Sequence, residues 1–132
     1  MIVIDLDGRK HKWPPAGHIP TLDQTNKSSH HLRARQLLKR IFGSYKIMEE
    51  VPLSGTRLRL DFYIHPLYLG IEVHGEQHYS YSHFFHGSTA DFLQSKHNDR
   101  IKKEWCDINA ITLIELPYNE DEEEWLKRPK VK

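Results

Sequence analysis

The sequence predicts an α/β protein, a mixed sheet flanked by helices, and three observations carry that expectation. Short stretches of alternating apolar residues follow one another between about 46 and 74, cut apart by Ser54-Gly55 and His65-Pro66. Segments of helical spacing stand on either side, at 28–42 and 91–108. A nearly continuous apolar run from Ile111 to Leu116 then reads as a further strand, closed by Pro117. A chain of 132 residues has material for one core and not for two, so these elements share one sheet.

Each element has its own signal. Ile2, Ile4 and Leu6 alternate, Asp7-Gly8 is a two-residue turn, and His11 to Trp13 return, which predicts an N-terminal hairpin. Pro14, Pro15, Gly17 and Pro20 make 14–27 an irregular arm. Ser28 or Ser29 can cap the first helix, Leu32, Leu37, Leu38, Ile41 and Phe42 form its apolar stripe, and Gly43 supplies a stop. Its opposite face is basic. Strands follow at about 46–51, 57–64 and 69–74, arranged as a meander. Residues 75–90, with Gly75, Gly87, His78, His83, His86 and four aromatics, read as a long ordered loop. Phe92, Leu93, His97, Ile101, Trp105 and Ile108 recur at close to helical spacing, with Trp105 and Cys106 assigned to the core. The chain thus divides into a hairpin and arm at 1–27, a core at 28–118 and an acidic tail at 119–132.

No apolar run is long enough to cross a bilayer, and the acidic start of the chain is not a secretory signal, so a cytoplasmic protein is expected. A single cysteine excludes an internal disulfide. The net charge of +1 says little about polyanionic partners, but its distribution says more. Positive charge gathers at Lys27, Arg33, Arg35, Lys39 and Arg40, and again at Lys96, Arg100, Lys102 and Lys103, while Asn119 to Glu124 is acidic.

The chemistry concentrates in the two strands around His65-Pro66. Leu58, Leu60, Phe62 and Ile64 alternate with Arg57, Arg59, Asp61 and Tyr63, so the aspartate lies on the face opposite the apolar set. Leu69, Ile71 and Val73 likewise alternate with Glu72 and His74. Pairing that aligns the apolar faces gathers Asp61, Glu72 and His74 on one side of the sheet. Mg²⁺ takes oxygen ligands and commonly only one or two carboxylates, so Asp61 and Glu72 suffice, with the Val73 carbonyl as a third protein ligand. His74 would move the proton of the attacking water or leaving group. Gly75 lets backbone approach a phosphate, and Gln77 and His78 add polar groups at that strand end. The bland alternative is a pair of solvent-facing carboxylates on a half-exposed sheet. His74, His78, His83 and His86 could instead join Glu72 or Glu76 around zinc, although their spacing matches no cysteine or histidine pair pattern.

Asp61, ten residues, then Glu72-Val73-His74 resembles the core of the PD-(D/E)-x-K nuclease superfamily, with His74 where lysine is usual. Leu60-Asp61-Phe62-Tyr63, Ile71 to Tyr79, and Asn98-Asp99-Arg100-Ile101-Lys102 followed by Ile111 to Ile114 resemble very-short-patch-repair-like and phage homing-type endonucleases. The likeness covers about residues 28–118. It implies a restriction-endonuclease-like fold with a metal-dependent DNA endonuclease activity, in which Asp61, Glu72 and Val73 hold Mg²⁺ and His74 is the catalytic histidine. It also implies a supporting role for Asp99. Arg59, Lys96, Lys102 and Lys103 are candidates for contacts to the nucleic-acid backbone, although Asp99 to Lys103 also reads as an ordinary exposed helical pair. On the first helix, where relatives carry glutamate, this chain has His31, or His30 in a register shifted by one residue; either is a poorer Mg²⁺ ligand than a carboxylate and would favour Mn²⁺ or another softer ion. Duplex DNA is the expected partner, with RNA as a weaker reading. No membrane partner is expected, and monomer and homodimer both stay open. The localisation would be cytoplasmic, or host cytoplasm for a phage-encoded chain. A nuclease-fold binding module without efficient cleavage is the alternative from another class.

Overall fold

The computed structural model describes residues 1–13, 29–74, 89–117 and 119–126. The expected arm, most of the expected loop, and with it Gln77 and His78, lie outside the described residues. Ile2–Ile4 (β1) and Lys10–Lys12 (β2) form the antiparallel N-terminal hairpin. Asp5 organises its turn: the carboxylate accepts the backbone N–H groups of Asp7 and Arg9, each at 2.9 Å, and meets His11 Nε2 at 2.7 Å. The helix Ser29–Ile41 (α1) follows, then the strands Met48–Pro52 (β3), Arg59–Ile64 (β4) and Leu69–His74 (β5). The long helix Thr89–Ile108 (α2), the strand Thr112–Pro117 (β6) and the short helix Glu122–Leu126 (α3) complete the order.

The four longer strands form one sheet in the order β3-β4-β5-β6. The first three are the expected antiparallel meander, while β6 runs parallel to β5. Parallel neighbours need a long crossover, and α2 supplies it. The protein is therefore mixed α/β. On one face Ala34, Leu37 and Leu38 of α1 pack with Phe62, Ile64, Leu69, Ile71 and Leu116. On the other, Trp105 and Cys106 of α2 and Val3 and Trp13 of the hairpin region pack with Val51, Leu53, Leu60, Tyr63 and Ile111. The Trp13 ring meets those of Tyr63 and Trp105 at 4.9 and 5.0 Å, tying the hairpin into this second core. Burial pushes the Cys106 thiol up to about 12, so it is a small apolar filler, as expected.

Two expectations need correction. The apolar stripe read along α2 does not face the core throughout, since Leu93 and Ile108 are exposed. Toward the ends of β5 and β6 the helix turns a polar stripe instead, Lys96, Asp99, Arg100 and Lys103, spaced as one helical face. The acidic end is also not a bare tail. Trp125 is buried, donates from Nε1 to the Pro117 carbonyl at 3.0 Å and lies under the Arg33 guanidinium at 4.1 Å.

A third departure shapes the site. Leu60 was expected on the face of Phe62 and Ile64, yet it packs with Val51 in the second core while Phe62 and Ile64 belong to the first. The partner strand shows why. Glu50 has φ of 54°, a left-handed conformation inside a strand, and Glu50 and Asp61 drop out of a register that pairs Glu49 with Phe62 and Val51 with Leu60. A residue of that conformation rotates the chain, so Glu49 and Val51 point to opposite faces.

Glu49 is thereby turned under α1, fully buried. Arg35 donates from Nε to Oε2 at 2.7 Å and from Nη2 to Oε1 at 2.9 Å, and His31 Nε2 meets Oε1 at 2.6 Å. Burial raises the Glu49 carboxyl, but the bonds from Arg35 and His31 outweigh it and hold the group below its usual value of 4.5. A folded value below the unfolded one contributes stability above about pH 4.5 that is lost as the pH falls through the folded value. Replacing Glu49 by Gln leaves Arg35 buried without a counter-charge and should cost about 3 kcal/mol near neutral pH. Urea unfolding at several pH values checks both points. The variant should start less stable and lose less on acidification than the wild-type chain.

Candidate active site

Beyond Phe62 opposite Ile71, the β4–β5 pairing stops. Asp61 and Glu72 are the next residues on each strand, and their carboxylates take over the backbone groups that the parted strands leave behind. The Asp61 N–H donates to Glu72 Oε2 at 2.7 Å, and the Val73 N–H donates to Asp61 Oδ2 at 2.8 Å. Buried N–H groups require acceptors, and here side chains supply them. Glu72 is only 3% exposed, which sets aside the reading of two ordinary solvent-facing carboxylates. Asp61 is half-buried, and among the described residues its Oδ1 accepts no hydrogen bond.

Lys102 reaches across from α2 and donates from Nζ to Glu72 Oε1 at 2.6 Å, so both oxygens of this carboxylate have a donor. Burial and then the nearby Asp61 charge push the Glu72 carboxyl upward, against the pull of the Lys102 ammonium. Burial also works against the charge on Lys102, but Glu72, followed by Asp61 and Asp99, more than compensates and holds its proton firmly.

His74 lies two residues further along β5, on the same face as Glu72 by strand alternation. It lines a pocket of about 180 Å³ together with Lys96, Asp99, Arg100, Lys103 and Glu115, and its Nδ1 is 4.0 Å from Glu115 Oε2. Glu115 is the register partner of Glu72 on β6. The expected site residues therefore fall into groups. Asp61, Glu72, Val73 and Lys102 are joined directly, and His74, Lys96 and Asp99 share the adjoining pocket. Arg59 is exposed on β4 opposite Pro52. His31 does not join Asp61 in the hydrogen-bonded group: it is held by Glu49 and stacks on Phe62 at 4.6 Å. Among the described residues no three His, Cys, Asp or Glu side chains converge closely enough to hold a metal. A cation would have to rest on the Asp61–Glu72 pair, backbone oxygen and non-protein ligands, and the histidines of the zinc alternative at 78, 83 and 86 fall outside the described residues.

Glu49 and Glu115 escaped the sequence reading. Glu49 sits beside Glu50 in what reads as a polar stretch. Glu115 did carry a signal, as the one carboxylate within an otherwise apolar strand run.

The fold and site thus define a mixed α/β protein with a buried and a half-buried carboxylate paired where two strands part. Related chains occur in viruses. The protein is 34% identical over 67 residues to Uncharacterized protein 033L of Invertebrate iridescent virus 3, covering 51% of this chain and 34% of that one. It is 39% identical over 61 residues to Uncharacterized protein 307L of Invertebrate iridescent virus 6, covering 46% and 31%. With Uncharacterized protein 094L of Frog virus 3 (isolate Goorha) it shares 38% identity over 79 residues, covering 58% and 51%. The chain thus spans about a third to a half of the length of these curated relatives. No family model matches the chain, and no solved structure matches it.

The Glu72–Lys102 pair has a measurable coupling. Lys102→Met should cost about 3 kcal/mol by leaving a buried carboxylate without its counter-charge. Glu72→Gln combined with Lys102→Met should cost less than the two single changes together. Without Lys102 the Glu72 value rises further, and a raised folded value loses its stability contribution as pH increases. The defect of Lys102→Met should therefore deepen as the pH rises above the wild-type Glu72 value of about 8, as read by urea midpoints.

Proposed function

We propose that this protein is a metal-dependent endonuclease that hydrolyses DNA phosphodiester bonds on a restriction-endonuclease-like core. The observation that carries the reading is the mutual hold of Asp61 and Glu72 across parted strands, with Lys102 on Glu72. An ordinary sheet has no reason to place two carboxylates side by side in a buried setting, where each raises the cost of the other's charge. A divalent cation relieves that cost, so the pair fits a metal. The order of helix, three antiparallel strands, crossover helix and parallel strand agrees with the expected core.

When bound, Mg²⁺ or Mn²⁺ would supply positive charge for the scissile phosphate and acidify a water. Asp61, through the oxygen that takes no donor among the described residues, and Glu72 would hold it, with the Val73 carbonyl as the further candidate. Lys102 provides from the helix an ammonium like the one that the usual strand lysine brings, available to neutralise charge developing on phosphate oxygen. His74 carries a proton to the leaving oxygen or from the attacking water. His31 has no part in this version, because it serves the Glu49 network.

A specific observation also favours binding without efficient cleavage: Lys102 already neutralises Glu72. Incubating the full chain with supercoiled plasmid and Mg²⁺ or Mn²⁺ separates the readings. Nicking that falls at least about a hundredfold in Asp61→Asn and in Lys102→Ala supports the nuclease. No nicking with either metal, while plasmid binding persists, leaves the binding module. Undiminished nicking by Asp61→Asn sinks the assignment of the site.

A further inference from the structure

We propose that the pocket beside His74 is a phosphate subsite, which holds a backbone phosphate of the nucleic-acid strand next to the one at the Asp61–Glu72 pair. This rests on the nucleolytic reading of that pair but concerns different side chains. The pocket, of about 180 Å³, is lined by His74, Lys96, Asp99, Arg100, Lys103 and Glu115. That is several times the space of one water molecule, about 30 Å³, and enough for a phosphate group.

Its chemistry points to an anion. Arg100 and Lys103 line it, and among the described residues neither side chain makes a hydrogen bond or an ion pair. An arginine and a lysine lining one cavity can offer a forked donor and a point charge, the combination that suits phosphate oxygens. Lys96 adds a third positive charge. The two carboxylates do not convert the pocket into a cation site, since His74, Asp99 and Glu115 do not converge on a common point. Glu115 lies toward His74 instead, at 4.0 Å.

Position supplies the rest of the argument. His74 is two residues beyond Glu72 on the same strand face, about 7 Å along β5. That step is comparable to the separation of consecutive phosphates on a strand. Lys102 and Lys103, neighbours on α2, then divide the labour: Lys102 turns to Glu72 and Lys103 to the pocket. A phosphodiester chain lying along the end of β5 would meet the carboxylate pair with one phosphate and the Arg100–Lys103 pair with the next. The substrate class is accordingly a polynucleotide with a second phosphate beside the reacting one, not a mononucleotide or free phosphate.

Binding of a labelled DNA duplex to the full chain in chelator, where no cleavage occurs, tests this directly. Arg100→Gln with Lys103→Gln should weaken binding about tenfold or more and lower the slope of log K against log salt by about one to two. Lys39→Gln with Arg40→Gln, which removes the same charge from the end of α1, should change it far less. Duplexes with a single neutral methylphosphonate linkage form the second arm: one position should weaken wild-type binding and not weaken the double variant further. Both changed residues are exposed, and unchanged urea midpoints confirm intact folding. Equal losses from the two double variants, or no methylphosphonate position that distinguishes them, overturn the subsite. Competition by orthophosphate alone at concentrations that match the duplex would also overturn it, because the pocket would then be a free-anion site. Failure of the nuclease reading looks different: plasmid stays intact with both metals while the Arg100–Lys103 effect on duplex binding remains.

Discussion

A backbone N–H buried where two strands part must find an acceptor, and much of this protein's site follows from that requirement. Leaving such a group unmet costs about 1–3 kcal/mol. At the parting of β4 and β5 the sheet meets the demand with two side chains, each carboxylate accepting from the strand of the other. The carboxylates are thus positioned by the ladder they replace, without relying on loops. Moving either would release an N–H as well as displace a carboxylate oxygen of the candidate site, so geometry and folding are coupled at these two residues.

The same coupling carries an energetic load. Two carboxylates gathered in a half-dry setting oppose one another, and Lys102 is the nearest compensation. A small protein tolerates this because buried side chains pack against both faces of the sheet. Trp105, Tyr63 and Trp13 fill one side, and the α1 residues fill the other. Truncating a buried tryptophan of this kind typically costs about 3–5 kcal/mol, comparable to the net stability of a modest domain. Local strain of a functional kind is supported from a distance by such cores.

Much of this was legible in the sequence. Strand alternation along β5 put Glu72 and His74 on a common side, and helical spacing with turn residues located every major element within a few positions. What could not be read has physical reasons. A left-handed glutamate leaves no compositional mark, since glycine or asparagine is the usual signal for that conformation, so the switch of faces between Leu60 and Phe62 was invisible. The partnership of Lys102 with Glu72 joins residues thirty positions apart on different elements, and periodicity speaks only within an element. His31 looked like a displaced ligand because its true partner, Glu49, turns inward only through that same switch.

The left-handed Glu50 has a further effect at the boundary of the sheet. β3 is an outer strand, and outer strands offer unpaired backbone groups to any other chain that can pair with them. A twist at Glu50 and a proline at 52, which has no N–H, spoil the straight run that such pairing needs. The hairpin is guarded in another way: the Asn109 side chain donates to the Ile4 carbonyl at 2.9 Å and accepts from its N–H at 2.7 Å, standing in for a neighbouring strand. The distortion that frees Asp61 from the β3–β4 ladder therefore also makes β3 a poorer template for strand addition than a straight edge would be.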